Sequence, residues 1–237
     1  MGSNEKFRDF AEILPKLELK TVFDIGANVG DTVDETLGEF PHVRIHAFEP
    51  VSATYEHLCQ RFQGNARITC HHFALGSSTT SALITARGTA TGNRIVSDLG
   101  EAADVPVETV TVRDGDSVLA ELGIDRVSFM KIDTEGFDLE TLKGFEKALG
   151  EQRIDVFQVE VGMGPQNNKH VPLHAIQDFA GGHGYWLFRL YNQAWEKNGK
   201  PVARRADAVF ISDKVATQNI RAKRQSLLKR IAPMFKR

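Results

Sequence analysis

The feature that most constrains this chain is a series of short, mostly continuous apolar segments that alternate with stretches at helical spacing. TVFDI (21–25), RIHAFE (44–49), RITCHHFAL (67–75), VSFMKID (127–133) and DVFQVEV (155–161) are of this kind. Strands that are apolar on both faces belong in a parallel sheet covered by helices on either side. The spacing predicts helices near 31–39, 51–62, 114–122, 137–149 and 171–182, and two later strands, YWLFRLY (185–191) and DAVFIS (207–212), predicted to pair as a hairpin at a sheet edge. The fold class is α/β, with about seven core strands.

One region breaks the rhythm. SALITAR (81–87) and VPVETVTV (105–112) alternate in polarity and are joined by a polar loop, the pattern of a β-ribbon inserted near 81–112. No repeat, low-complexity tract or linker divides the chain. With 237 residues, 41 % hydrophobic and 25 % charged, one domain over 1–213 is expected.

Charge sets residues 214–237 apart. Eight of the 29 basic residues and no acid lie there, leaving 21 basic against 31 acidic residues in the body. Ile220, Leu227, Leu228, Ile231, Met234 and Phe235 recur among them at roughly helical spacing, which predicts a basic amphipathic helix. Such a helix packs on the acidic body, lies on an anionic membrane, or engages a partner or glycan carrier. No run reaches the ~18 apolar residues of a membrane span, and residues 1–10 lack a secretory apolar stretch. A cytoplasmic protein is expected, with peripheral contact at the inner face of the membrane through 214–237. Cys59 and Cys70 have neither the number nor the spacing of a disulfide framework or zinc site and are expected to be buried thiols.

The first strand leads into a glycine turn, VFDIGANVGD (22–31). A strand that turns through glycines into a helix lets a ligand approach the backbone. Its spacing, Asp24-x-Gly26-x-Asn28-x-Gly30-Asp31-Thr32, departs from the G-x-G-x-x-G of dinucleotide sites, because Asn28 replaces the middle glycine. Two acids beside the turn suit a ligand carrying an ammonium and a sulfonium better than one carrying phosphates, and S-adenosylmethionine fits that description. The second strand ends in AFEP, placing Glu49 and Pro50 near the offset at which an acid accepts from ribose hydroxyls. The third ends in FALG, where Phe73, Ala74 and Leu75 can flank a flat base. A lone GxxxG is more often tight helix packing; three features at successive strand ends mark a ligand site.

VFDIGANVGDT, FEP, FALG and above all FMKIDTEGFDLETLKG (129–144), with a following strand that contains Glu160, resemble the FkbM family of S-adenosylmethionine-dependent methyltransferases. The resemblance covers about residues 20–212. It implies a class I methyltransferase fold with a seven-stranded, mostly parallel sheet whose last strand is antiparallel, and O-methylation of a hydroxyl on a sugar or a polyketide-type ring. It also implies cofactor contacts from Asp24, Gly26, Asn28, Gly30 and Glu49, with Ala74 and Leu75 near the adenine. Two departures are Thr134, where the family often has Val, and the pair His71-His72.

Methyl transfer to a hydroxyl needs alignment of the acceptor oxygen and removal of its proton. Asp133 and Glu135 at the fourth strand end, Glu160 at the fifth and His170 in the loop GMGPQNNKHVPLH are the candidate catalytic groups, with Asp133 also placed to touch the cofactor. The plainer reading of Glu135 is an acid favoured by a helix N-terminus. An acid closing an apolar strand, as Asp133 and Glu160 do, needs a partner, a ligand or a metal. A divalent metal, if used, falls to Asp133 and Glu160. His71 and His72 point to opposite faces of a strand and cannot share a site. Asn93 and Arg94 in the ribbon loop are the candidate acceptor contacts, and Tyr185, Trp186, Phe188, Tyr191 and Trp195 read as core rather than as a sugar platform.

The expected function is therefore S-adenosylmethionine-dependent O-methylation of a saccharide or glycoconjugate, without a nucleic-acid partner. One alternative is a nicotinamide-dependent sugar oxidoreductase or epimerase, opposed by the missing G-x-G-x-x-G and by Cys59 where Tyr55 would need a lysine. Another is a non-catalytic nucleoside-binding module recruited through its basic tail, opposed by the three retained acids.

Overall fold

The structure, a computed structural model, describes residues 3–90, 92–98, 100–102, 105–164, 166–196 and 200–220. The chain begins with α1 (Ser3–Ile13), β1 (Thr21–Ile25), α2 (Asp31–Glu39), β2 (Arg44–Phe48), α3 (Ser52–Arg61) and β3 (Ile68–His71). It continues through β4 (Ala74–Gly76), β5 (Thr80–Thr85), β6 (Ile95–Val96), β7 (Val107–Asp114) and α4 (Gly115–Glu121). The last elements are β8 (Phe129–Ile132), α5 (Asp138–Lys143), α6 (Glu146–Gly150), β9 (Val156–Gly162), α7 (Leu173–Gly182), β10 (Tyr185–Trp195) and β11 (Ala203–Ser212).

Seven strands form one sheet in the order β10-β11-β9-β8-β1-β2-β3. All neighbours are parallel except β11, which runs antiparallel to both β9 and β10. The chain order reverses between β1 and β8, so the carboxyl ends of these strands border the crevice where such sheets bind ligands. Period-two alternation divides the core. Val22, Ile45, Ala47, Phe129 and Val156 face a cluster with Phe7 and Phe10 of α1, Val33 of α2 and Leu58 of α3. Phe23, Ile25, Phe48, Met130, Ile132 and Phe157 face α4 to α7 through Val118, Leu142, Leu149 and Ile176.

Several expectations need correction. The third strand does not run unbroken over 67–75: it leaves the main sheet after His71, and Ala74–Gly76 pairs instead in parallel with β7. The ribbon is thereby part of a four-stranded sheet, β4-β7-β5-β6. The helix expected over 137–149 is two, α5 and α6. A β-carbon at Gly144 between them would lie 2.0 Å from the Gly76 carbonyl oxygen, so the break brings the helix pair against β4. Helix α1 was not expected at all. The late hairpin forms, but β11 returns inside it, next to β9. Tyr185 and Tyr191 are core, whereas Trp186 and Trp195 are 60 % and 63 % exposed. Cys59 and Cys70 are half-buried free thiols rather than fully buried ones.

Residues 213–220 are helical, with Val215 buried in the cluster that holds α1 and Asn219 accepting from the Lys16 backbone N–H at 2.9 Å. The rest of the predicted basic helix, 221–237, lies outside the described residues. Among those described, no helix is long and apolar enough to cross a membrane.

Candidate active site

At the carboxyl ends of β1, β2 and β8 a cavity of about 410 Å³ is walled by the two glycine-containing turns, by β4 and by the small sheet. The first turn is held from both sides. Gly26 and Ala27 donate to the Phe48 carbonyl, and a β-carbon on Gly26, whose φ is +78°, would lie 2.0 Å from the carbonyl oxygen of Asp133. Only glycine allows both the left-handed turn and that approach. Asn28 follows in a left-handed conformation of its own, at φ 50°.

Glu49 closes the turn from β2. Its two carboxylate oxygens accept from the backbone N–H of Val51 and of Asn28, both at 2.9 Å. Burial pushes its pKa up to about 7 against these two hydrogen bonds. Each oxygen keeps a lone pair for a further donor. Pro50, Phe73, Ala74 and Leu75 continue the wall, with Ile84 and Ile95 of the small sheet adding an apolar surface.

The second turn, DTEGFD (133–138), carries the acids. Asp138 holds it: one carboxylate oxygen accepts from the Thr134 N–H at 3.0 Å and the other from the Gly136 N–H at 3.1 Å. Burial raises the Asp138 pKa to about 6. Between these bonds Glu135 sits at φ 54°, a left-handed position that a β-bearing residue adopts at a cost of order 1–3 kcal/mol and that recurs at functional sites. Lys131, two residues before Asp133 and so on the same strand face, puts its ammonium 3.2 Å from Asp133 and 3.6 Å from Asp24. Burial opposes charge on Lys131, but the two carboxylates overcome it and hold its pKa above the usual lysine value. Burial likewise opposes charge on Asp133, and Lys131 prevails, keeping it below the usual carboxylate range.

Asp24 is 1 % exposed and neither of its oxygens has a hydrogen-bond partner, so burial raises its pKa despite Lys131.

Gly26, Asn28, Thr32, Glu49, Pro50, Phe73, Ala74, Leu75, Asp133, Glu135 and Asn93 all line the cavity. The other expected residues do not. Asp24 lies beneath it, and Gly30 packs under α3, where a β-carbon would meet the Phe62 ring at 2.3 Å. Arg94 turns its guanidinium to the Glu101 carbonyl, and Asn93 spends its amide on the Arg87 N–H and nearby loop carbonyls. Glu160 and His170 form a pair behind the wall, Nε2 to Oε2 at 2.6 Å, with Arg205 on the other Glu160 oxygen. His71 stacks on Phe48 and His72 on Tyr55, away from the cavity.

The sequence profile of the Methyltransferase FkbM domain matches residues 24–187, which contain both turns and every cavity residue named above. The chain belongs to the FkbM methyltransferase family. No curated protein sequence matches it. Among solved structures it is similar to the methyltransferase domain of bacterial CtHen1 (14 % identity, 89 % of this chain and 98 % of that one, TM-score 0.47). It is also similar to a precorrin-6y C5,15-methyltransferase from Geobacter metallireducens (16 %, 85 % and 85 %, 0.44) and to a methyltransferase from Leishmania major (13 %, 86 % and 70 %, 0.44).

An FkbM methyltransferase uses S-adenosylmethionine, and the cavity fits it: a glycine cradle and an acid with free acceptor capacity on the adjacent strand suit the ribose of such a cofactor. Lys131, Asp138, Ile84 and Ile95 were missed in the sequence. For Lys131 the signal was present, as the lysine of KID alternates with Asp133. No local signal marks Ile84 or Ile95, because they reach the cavity only through the strand break at His71.

Proposed function

We propose that this protein is an S-adenosylmethionine-dependent O-methyltransferase whose acceptor is a saccharide hydroxyl of a glycoconjugate. The observation that carries this reading is that Glu49, Phe73 and Leu75 share one cavity with the polar side chains of Asp133, Thr134 and Glu135. Carboxylates are acceptors, suited to a partner that presents several hydroxyl donors. The cofactor supplies an activated methyl on a sulfonium, so the protein's remaining tasks are alignment and proton removal.

Asp133 is poorly suited to take the proton, because Lys131 stabilises its ionised form. Glu135 faces the cavity on a strained turn, with the Lys169 ammonium 2.7 Å from its Oε2. In this reading Asp133 orients the acceptor and Glu135, whose cation Lys169 is half exposed and displaceable where Lys131 is not, would take the hydroxyl proton. The test is incubation of the purified protein with isotopically labelled S-adenosylmethionine and a panel of mono- and oligosaccharides, followed by mass spectrometry. A methyl ether on a sugar supports the reading. Turnover confined to amine, carboxylate or nucleic-acid acceptors overturns it.

A further inference from the structure

Three side chains from three separate segments converge where the cavity lining meets the groups behind it: Glu135 from the turn after β8, Glu160 from β9 and His170 from the loop before α7. One donor atom of each lies within 4.8 Å of the others. We infer that these residues form a binding site for a divalent transition-metal ion. The relation of that ion to methyl transfer rests on the reading above, whereas its binding does not.

The orientation of His170 carries the argument. Asn167 has its amide fixed from both ends, its NH₂ donating to the Arg204 carbonyl at 2.8 Å and its oxygen accepting from the backbone N–H groups of Lys169 and His170, both at 3.1 Å. That same oxygen lies 3.0 Å from His170 Nδ1, so Nδ1 is the ring nitrogen that carries hydrogen. The neutral ring then directs the lone pair of Nε2 at Glu160 Oε2, 2.6 Å away. Two acceptors this close need a positive charge between them. An oxygen that accepts from one ring nitrogen, and so fixes the tautomer, is the arrangement that orients histidine ligands toward metals.

A proton would satisfy the two facing atoms alone, but the third group, Glu135, extends the cluster to the span of one ion. Donors about 2.0–2.2 Å from a metal are separated from one another by roughly 3–4.4 Å, so an ion entering the cluster would part Glu160 and His170 slightly from their 2.6 Å contact. The ligands are also held rigidly. Burial leaves the His170 side chain 2 % exposed, and a β-carbon on Gly136 would lie 2.6 Å from the Lys169 carbonyl, so the acid turn and the histidine loop are in contact. Arg205 occupies only Glu160 Oε1. Lys169, whose side chain is half exposed, holds its ammonium 2.7 Å from Glu135 Oε2, where an ion would displace it. One imidazole with two carboxylates favours a borderline ion such as Mn²⁺, Fe²⁺ or Zn²⁺ over Mg²⁺ or Ca²⁺, which prefer oxygen alone.

The test is Mn²⁺ titration of the full chain, followed by loss of the aqueous Mn²⁺ electron paramagnetic resonance signal, with S-adenosylhomocysteine binding measured separately by calorimetry. One Mn²⁺ per chain is expected, weakened at least about tenfold in His170→Ala and Glu160→Gln and by about 10- to 100-fold in Asn167→Ala. Lys169→Ala is an exposed change that leaves the core intact, and it is expected to tighten Mn²⁺ binding by removing the competing ammonium. Failure of the wild-type chain to bind Mn²⁺ while it binds S-adenosylhomocysteine overturns the site. So does unchanged Mn²⁺ affinity in Lys169→Ala, or in folded His170→Ala and Glu160→Gln. Mn²⁺ binding without S-adenosylhomocysteine binding supports the metal site and sinks the methyltransferase reading instead.

Discussion

The α-carbon of Gly26 faces the carbonyl oxygen of Asp133 so closely that a β-carbon would come within 2.0 Å of it. The turn after the first strand and the acid turn after the fourth are thus fitted against each other, and neither can move alone. Gly26→Ala must push them apart and also force a left-handed alanine. S-adenosylhomocysteine affinity is expected to fall by about tenfold or more, a loss of ~1.4 kcal/mol or more, as read by calorimetry. Wild-type affinity in this variant would mean that the two turns do not jointly form the cofactor cradle.

Glu49 makes cofactor binding sensitive to pH. Its carboxyl has a pKa raised by burial from 4.5 to about 7, and the ionised form is the better acceptor for ribose hydroxyls. S-adenosylhomocysteine binding should tighten as pH rises from about 6 to 8, approaching tenfold per unit on the acidic side. The sign for the free protein is opposite: the raised pKa contributes stability that is fully present below 4.5 and lost as pH rises through about 7. Both trends should vanish in Glu49→Gln, and a pH-independent wild type would exclude this carboxyl from the binding step.

Lys131 neutralises two carboxylates at once. Removing it as Lys131→Met leaves the buried Asp24 without its cation, beside an Asp133 whose side chain is 39 % exposed. Breaking a buried charge pair from one side costs about 3–5 kcal/mol, and urea denaturation should show a loss of that order. The double variant Lys131→Met with Asp24→Asn should recover part of it. Equal stability of all three proteins would mean that Lys131 does not pair with Asp24.

Helix α1 belongs to the core. Phe7 is 2 % exposed and packs edge-on against Phe40 and Phe129, with ring centroids 5.1 and 6.0 Å apart. Phe7→Ala is expected to destabilise the fold by about 3–5 kcal/mol, with a cavity beneath β8 that the surrounding rings fill poorly. A chemical-denaturation midpoint close to that of the wild type would place the helix outside the cooperative unit.

The main sheet was legible because its strands carry one-dimensional signals: continuous apolar runs, each closed by Asp24, Glu49, Asp133 or Glu160. The glycine turn and the acid block were legible for the same reason. What the sequence hid depends on contacts between segments distant along the chain. The strand over 67–75 reads as one apolar run, and only its competing partner, Val112 to Asp114 of β7, draws Ala74–Gly76 away. The first helix hid because its fully buried apolar face is just Phe7 and Phe10 among charges. Arg94 and Asn93 were adjacent in a loop, and adjacency could not tell which one faces the cavity. The His170–Asn167 pair was out of reach for a different reason, since a tautomer is set by three-dimensional hydrogen bonding and leaves no trace in spacing.

The departure of the chain from the main sheet at His71 divides the cavity between two frameworks. The cofactor side is set by loops of the seven-stranded sheet, which also determines whether the protein folds, while Ile84, Asn93 and Ile95 reach the same space from a separate four-stranded sheet. The two frameworks meet at Gly92, where a β-carbon would lie 3.8 Å from Glu135 Oε1 of the acid turn. One side of the cavity is thus built by a segment that contributes no strand to the parallel sheet.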